Sequence, residues 1–252
     1  MAPDMEFFDC NCFVGRPQNA IPQSAPTAED LLAAMVRSGI GEALVWHVAQ
    51  RDWSPVDGNR MVTEAIAPHP SLGGCWALLP EETGELPAPA ELPALMAASR
   101  IRALRAFPTQ HRFLLRAETV GGYLEIMCQR RIPLVLSLEG GTGGWPMIYD
   151  LLRDFPKLVC ILADVGLWGA DRWFRPLVAL YPGVHVEMAD YCLDGGIEAF
   201  VGRYGAEQLL YGSGFPVRSH GGMMLALRHA PIRDEDKAAV AAGNARRLLT
   251  WK

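Results

Sequence analysis

Residues 158–189, LVCILADVGLWGADRWFRPLVALYPGVHVEMA, contain the pattern that decides the fold. Leu158 to Asp164 is a nearly continuous apolar run of strand length, and Val184 to Ala189 is a second such run. Between them, Asp171 to Leu180 has the apolar spacing of an amphipathic helix. Apolar strands joined through helices are typical of a parallel sheet that is covered on both faces. The stretch therefore predicts a β-strand, helix, β-strand unit.

The same alternation extends along the whole chain. Eight runs have strand character: Met5 to Cys10, Ala43 to Val48, Gly74 to Leu79, Ile101 to Phe107, Ile132 to Leu138, Leu158 to Asp164, Val184 to Ala189 and Gln208 to Gly212. Amphipathic segments separate them, and the first helix carries a capping box of Thr27 and Asp30 and ends at Gly39. This arrangement predicts an α/β fold with a single (β/α)8 barrel over residues 1–252, and the Pro-rich segment 80–93 as a surface excursion.

Composition argues against several classes of function. Half of the 252 residues are apolar and one fifth are charged, which favours a large folded core. The net charge is −5 and no long Lys/Arg run occurs, so we expect no nucleic-acid partner and no anionic membrane surface. The apolar runs are far shorter than the ~20 residues of a membrane span, and the N-terminus lacks the pattern of a secretory signal. We expect a cytoplasmic protein that binds a small molecule.

Polar side chains stand where the predicted strands end. Reactive groups of such barrels project from the C-terminal ends of the strands. The polar residues at or just after these ends are Asn11, His47, Arg105, His111, Ser137, Glu139, Asp164, Glu187, Asp190, Arg218 and His220. Burying unpaired carboxylates costs several kcal/mol each, so we expect Arg105 or Arg218 beside the acidic groups. Strict alternation along the first strand predicts that Cys10 and Cys12 share one face and Asn11 lies on the other.

Six motifs follow one another in an order that resembles a known family. They are FDCNCFVG at 8–15, IPLVLS at 132–137, FPKLVCILADVG at 155–166, YPGVHVE at 181–187, YGSGFP at 211–216 and GNARRL at 243–248. They resemble the amidohydrolase-related branch of the amidohydrolase superfamily. In that branch the first motif is Ile-Asp-x-His-x-His-x-Gly, and the second and third motifs are strands that end in His. The fifth motif is Gly-Ser-Asp-Tyr-Pro and the last contains Gly-Asn-Ala. The resemblance implies a (β/α)8 barrel and metal-dependent hydrolysis or non-oxidative decarboxylation.

The metal ligands of that family are where this sequence departs from it. The resemblance implies one divalent metal held by two His of the first strand, His of the fifth, often His of the sixth, and Asp of the eighth. Those positions carry Asn11, Phe13, Ser137, Asp164 and Gly214. Phe13 and Gly214 cannot coordinate through their side chains, and in the family the Asp at position 214 also manages the proton of the attacking water. We therefore expect no cofactor, neither Zn²⁺ nor Mn²⁺.

Three functional hypotheses remain open from the sequence. The first is a metal-independent hydrolase of lactones or amides, or a decarboxylase, that acts on a small organic acid or cyclic carboxylated compound. Its predicted catalytic residues are Asp164, Glu139 and His220, and its predicted substrate-binding residues are Arg105, His111, Asn11, Ser137, Glu187, Arg218 and His47. The second is a catalytically inactive barrel, a pseudoenzyme that binds a ligand or partner, with Phe13 filling the former metal volume. The third is a metal site rebuilt from Glu139, Asp164 and Glu187. A homodimer is compatible with each.

Overall fold

A computed structural model describes residues 5–138, 144–166, 169–191 and 193–250. Eight parallel strands form one sheet in sequential order, so the predicted (β/α)8 barrel is confirmed. The strands are β1 Phe7–Val14, β2 Ile40–His47, β3 Leu72–Ala77, β4 Ile101–Ala106, β5 Leu134–Ser137, β6 Cys160–Ala163, β7 Val184–Glu187 and β8 Leu209–Leu210. Parallel pairing brings all their C-terminal ends to one end of the barrel.

Helices cover the outside of the sheet. They are α1 Ala28–Ser38, α2 Ala49–Asp52, α3 Pro55–Ile66, α4 Leu92–Ala98, α5 Ala117–Arg130, α6 Trp145–Asp154, α7 Asp171–Leu180, α8 Gly196–Tyr204, α9 Gly221–His229, α10 Asp234–Ala238 and α11 Asn244–Leu248. The capping box predicted for the first helix is present, and Gly39 ends that helix in the left-handed conformation. Within the described ranges, no helix has both the length and the apolarity that a bilayer span requires.

The segment after β8 closes the barrel against β1. The backbone N–H of Cys10 donates to the carbonyl of Tyr211 at 3.1 Å, and that of Phe13 donates to the carbonyl of Phe215 at 3.0 Å. In return, the N–H of Gly214 donates to the carbonyl of Asn11 at 2.8 Å. These bonds place the loop after β8 directly beside the C-terminal half of β1.

Two apolar layers hold the barrel. The outer layer, between sheet and helices, includes Val184 and Val186 of β7. The interior layer includes Val159 and Ile161, together with Leu248 from the C-terminal helix α11. Since Val184 and Val186 face the helices, the alternating residues of β7, His185 and Glu187, face the barrel interior.

The predicted strict alternation along β1 is wrong. Cys10 packs in the interior layer, whereas Cys12 packs in the outer layer, so the two thiols do not share a face. The reason is a register shift between Asp9 and Cys12 in the pairing of β1 with β2. Such an irregularity adds a residue to one strand and reverses the facing of those that follow.

Element bounds differ from the predicted ones by a few residues, and four of the described helices were not predicted. The N-terminal strand extends to Val14 instead of ending at Cys10, and β8 has two residues only. Helices α2, α3, α4 and α9 lie in segments for which the sequence pattern indicated no helix. In the segment 80–93, Leu86 is buried and the carbonyl of Pro87 accepts a hydrogen bond from the Tyr123 hydroxyl, so part of this excursion is anchored on α5.

Candidate active site

Asp164 lies at the centre of the polar cluster at the C-terminal end of the barrel. It follows β6, is only 6% exposed and has a positive φ of 52°. Its Oδ2 accepts hydrogen bonds from the Ser137 hydroxyl at 2.6 Å and from Nη2 of Arg105 at 3.3 Å. Nη1 of Arg218 lies 3.7 Å from Oδ1. Two guanidinium groups and a hydroxyl therefore surround this carboxyl group. The predicted placement of Arg105 or Arg218 beside the acids is confirmed.

Glu187 is a second carboxyl group behind Asp164. The Asn11 amide bridges the two acids, with Nδ2 donating to Glu187 Oε2 at 3.0 Å and to Asp164 Oδ1 at 3.2 Å. Complete burial, followed by the charge of Asp164, raises the pKa of Glu187 from 4.5 to about 8. Glu187 therefore holds a proton at neutral pH beside a second carboxyl group, which is an arrangement suited to acid–base chemistry. We call Asp164 and Glu187 the carboxyl pair.

Replacing Glu187 with glutamine should change how stability depends on pH. The folded pKa lies above the unfolded one, so the glutamate form loses stability as pH rises from about 4.5 to about 8. Glutamine does not titrate, so the difference in Tm, variant minus parent, should increase across that window, on top of any constant offset from the new amide. Thermal melting between pH 4.5 and pH 8.5 measures it. The exposed Glu64→Gln change is the control, and an equally flat difference for both variants would contradict the raised pKa.

Arg105 is built into the barrel interior. It is 2% exposed, Nη1 donates to Asn11 Oδ1 at 2.9 Å, and its guanidinium carbon lies 4.7 Å from the centre of the Trp46 ring. Phe13 also packs against Trp46, with its ring centre 4.8 Å from that of Trp46. Arg105 therefore donates hydrogen bonds to Asp164 and Asn11, and the aromatic face of Trp46 stabilises its positive charge.

Asp9 organises a second polar group beside the carboxyl pair. Its Oδ1 accepts from the backbone N–H groups of Ser213 at 2.9 Å and Asn11 at 3.1 Å, and its Oδ2 accepts from the Ser213 hydroxyl. His220 stacks on Phe215 with ring centres 4.2 Å apart, and its Nε2 lies 3.6 Å from Asp9 Oδ2. Burial raises the pKa of Asp9 to about 6 and lowers that of His220 to about 4. A neutral His220 at pH 7 fits a role in holding the loop after β8 against β1.

The remaining predicted site residues lie apart from the carboxyl pair or outside the described ranges. His47 Nδ1 accepts from the N–H of Ala49 at 3.1 Å, and His111 Nε2 lies 2.7 Å from the carbonyl of Gln50. Among the contacts of the described residues, neither imidazole reaches Asp164. Glu139 falls outside the described residues.

The residues present at the expected metal position do not fit a divalent cation. Asn11 directs its NH₂ group at both carboxyl groups, and the guanidinium of Arg105 bonds its oxygen, so positive charge and N–H donors already surround Asp164. Gly214 has φ 66°, and a Cβ added there would lie 2.9 Å from Arg218 Nη1, so an aspartate would displace that guanidinium. Within the described part of the chain, no group of three His, Cys, Asp or Glu side chains could hold a metal ion.

A cavity of about 740 Å³ borders Ser137. Phe107 and Ser137 line it together with the side chains of Arg51, Arg112 and Arg116. Among the described residues, the acidic side chains of the same lining are Asp150 and Asp154, and Arg153 forms ion pairs with both. Arg51 is already paired with Asp52 at 2.7 Å, so the guanidinium groups that face an anionic ligand are those of Arg112 and Arg116. We name this cavity the Ser137 cavity, and the Ser137 hydroxyl connects it to Asp164.

The arginines of the Ser137 cavity were missed by sequence reasoning. Arg112 and Arg116 follow β4 in a loop without a motif, and Arg51 belongs to the unpredicted helix α2. Their only signal in the sequence is proximity to His111 and His47, which we selected for their position after strand ends. A second cavity, of about 610 Å³, borders Arg218 and Ser213. Nε and Nη2 of Arg218 each lie 2.6 Å from a carboxylate oxygen of Asp190, so this guanidinium is already paired.

Comparison with known proteins gives a family match and several structural neighbours. The family model described as Amidohydrolase matches residues 16–251. A 2,6-dihydroxybenzoate decarboxylase from Rhizobium superposes with a TM-score of 0.70 at 13% identity, covering 98% of this chain and 99% of that one. A 5-carboxyvanillate decarboxylase from Sphingomonas paucimobilis gives 0.70 at 14%, covering 99% and 100%.

A third neighbour, amidohydrolase 2 from Bifidobacterium longum subsp. infantis, gives a TM-score of 0.68 at 15% identity, covering 99% of this chain and 100% of that one. At such identities the structural similarity shows the fold alone. No curated protein matches the chain.

Proposed function

Since this chain belongs to the amidohydrolase family, we propose that it is a metal-independent decarboxylase or hydrolase that acts on a small carboxylated compound by acid–base chemistry. One observation carries the proposal. The Ser137 hydroxyl lines the Ser137 cavity and donates at 2.6 Å to Asp164 of the carboxyl pair. Ser137 can therefore pass a proton between a bound compound and the pair.

The Ser137 cavity supports a ring-sized anionic substrate. Its volume lies within the range of about 300–1,000 Å³ that is usual for small-molecule sites. Arg112 and Arg116 supply planar guanidinium groups, and each can bind a carboxylate by donating two parallel hydrogen bonds to it. Phe107 adds an aromatic face at the same lining. Two structural neighbours carry the names of decarboxylases of aromatic acids, and such acids have the size and charge that this lining accepts.

In the proposed decarboxylation the carboxyl pair is the source of the proton. Glu187, with its pKa raised to about 8, holds a proton at neutral pH, and Asp164 contacts Glu187 through its backbone N–H and Ser137 through its Oδ2. A proton passed through Ser137 to the ring carbon that bears the carboxylate converts that carbon to sp³. The C–C bond then breaks, CO₂ leaves, and the electron pair restores the ring. The pair regains its proton from solvent, so the reaction needs no further reactant.

Hydrolysis uses the same groups in the opposite order. Asp164, through Ser137, accepts a proton from water as it attacks a lactone or amide carbonyl. The pair then returns the proton to the leaving oxygen or nitrogen. The arginines of the Ser137 cavity hold the substrate carboxylate in both reactions. The identity of the product therefore distinguishes decarboxylation from hydrolysis.

Replacing Asp164 with asparagine should lower kcat by about 10²–10⁴-fold, because the amide cannot exchange the proton. The assay incubates the protein with hydroxybenzoic acids and with carboxylated lactones, and it measures CO₂ release and lactone opening separately. The exposed Asp57→Asn change, on helix α3, is the matched control and should keep full activity. We expect the activity to persist after dialysis against a chelator.

Two results would overturn the proposal. The first is an Asp164→Asn variant that retains folding and activity. The second is turnover by the parent that depends on added Zn²⁺ or Mn²⁺.

The packing of Phe13 favours a second candidate function, a binding protein without catalysis. Phe13 is 4% exposed and packs against Trp46 in the interior layer of the barrel. An inactive barrel would still bind carboxylates in the Ser137 cavity through its arginines. Calorimetric binding of a hydroxybenzoate without turnover of any compound in the panel would support this second function over the first.

A further inference from the structure

The N-terminal end of the barrel, opposite the candidate active site, contains a separate cavity of about 700 Å³. It lies between the end of α5, the strand β7 and the helix α11. Its lining includes Arg130 and Arg131 at the end of α5, Arg247 of α11 and His185 of β7. We call it the basal cavity.

The charge of the basal cavity opposes that of the whole protein. The chain carries a net charge of −5, yet among the described residues three arginines line this cavity against one acid, Glu207. Within the described ranges, no ion pair involves Arg130, Arg131 or Arg247. Arg247 is instead positioned by its backbone contact, with Nη2 donating to the carbonyl of Glu207 at 3.2 Å. The guanidinium groups thus keep hydrogen-bonding capacity for an anion.

His185 forms the inner wall of the basal cavity. It is 5% exposed, and its Nδ1 has no hydrogen-bond partner among the described residues. Desolvation, with the charges of Arg247 and Arg131, lowers the pKa of His185 to about 4, while a hydrogen bond with the backbone of Glu207 opposes this shift. Because Nδ1 has no partner, that bond uses Nε2, and the neutral ring keeps Nδ1 as an acceptor. A ligand with a hydroxyl group beside its anionic group would satisfy this nitrogen.

We propose that the basal cavity binds a phosphate group, either free or as the ester of a small alcohol. Three arginines on two elements match the several oxygens of a phosphate better than the two of a carboxylate. At neutral pH, inorganic phosphate still carries an O–H, and the ester of an alcohol with several hydroxyl groups, such as glycerol, keeps the others, so both can donate to His185. The volume exceeds what phosphate alone needs and leaves room for a short carbon chain. This site is independent of the carboxyl pair, since it lies at the other end of the barrel.

Binding should appear as phosphate-dependent stabilisation. A ligand that binds the folded state alone stabilises it by RT ln(1 + [L]/Kd), so Tm should rise with phosphate concentration. The experiment compares inorganic phosphate, glycerol 3-phosphate and glycerol, each at an ionic strength matched with chloride, by thermal melting and calorimetry. We expect both phosphates to bind and glycerol not to bind. Tighter binding of glycerol 3-phosphate identifies an ester as the ligand, and equal affinities identify free phosphate.

A double variant, Arg131→Gln with Arg247→Gln, should weaken phosphate binding at least tenfold. The control is Arg60→Gln with Arg233→Gln, which removes the same charge from exposed surface positions away from the described cavities and should leave binding unchanged. If the double variant does not fold, Arg247→Lys replaces it, because lysine keeps the charge and lacks the guanidinium fork, and we expect a several-fold loss of affinity. Equal affinities in the parent and the basal variants, or an equal loss in the control, would overturn the proposal.

Discussion

Replacing Arg105 with methionine should lower the free energy of unfolding by about 3–5 kcal/mol, the usual result of removing one partner of a buried ion pair. The guanidinium is almost fully buried, bonds Asn11 and Asp164, and lies over the ring of Trp46. Without it, Asp164 keeps the Ser137 hydroxyl and the more distant Arg218, which cannot replace the lost charge at hydrogen-bond distance. Urea unfolding at pH 7 measures the difference.

The control for this prediction is Arg153→Met. Arg153 forms ion pairs on the surface of α6 with Asp150 and Asp154, and exposed pairs contribute about 0–1 kcal/mol. A loss below 1 kcal/mol for the Arg105 variant as well would mean that the charge of Asp164 is compensated elsewhere. The assignment of Arg105 as the structural partner of Asp164 would then be wrong.

Replacing Phe13 with alanine should cost about 3–5 kcal/mol, as other large-to-small changes of buried aromatic residues do. The Phe13 ring packs against Trp46, and Trp46 packs against Phe107 with ring centres 5.3 Å apart. These three rings pack together in the interior layer, so removal of the first leaves a cavity. Chemical denaturation again measures the loss.

Trp53→Ala is the matched control for Phe13, because Trp53 is 68% exposed and its loss should leave stability nearly unchanged. Under both candidate functions the ligand affinity of the Ser137 cavity should change little in the Phe13 variant, since Phe13 does not line that cavity. A cost below 1 kcal/mol would show that Phe13 is not a packed core residue.

Several features of the site could be predicted from the sequence because they depend on local order. Polar residues at the ends of β4, β5, β6 and β7 converge in any parallel barrel, and the structure brings together Arg105, Ser137, Asp164 and Glu187. The need to neutralise buried acids also predicted the nearby arginines. His47 and His111 satisfied the same positional rule, yet their rings contact the backbone of Ala49 and Gln50 instead. Position at a strand end decides which end of the barrel a residue occupies, but not its partner.

Other features of the site depend on packing between distant segments. The register shift in β1 decides that Cys10 and Cys12 face different layers, and it arises from pairing with β2, not from the local alternation. The arginines of the Ser137 cavity come from loops whose paths have no motif. The proton state of Glu187 depends on its complete burial and on the charge of Asp164, 23 residues earlier in the chain.

The amino-acid sequence alone determined the barrel, its capped first helix and the family, because apolar periodicity, capping residues and motif order are properties of neighbouring residues. Only the tertiary structure decided which polar groups meet and which of them hold a proton. It also revealed the Ser137 cavity and the basal cavity with its arginines at the opposite end. The physical reason is that hydrogen bonds, ion pairs and desolvation depend on distances between atoms, and residues far apart in the chain acquire those distances only when the strands close into a barrel.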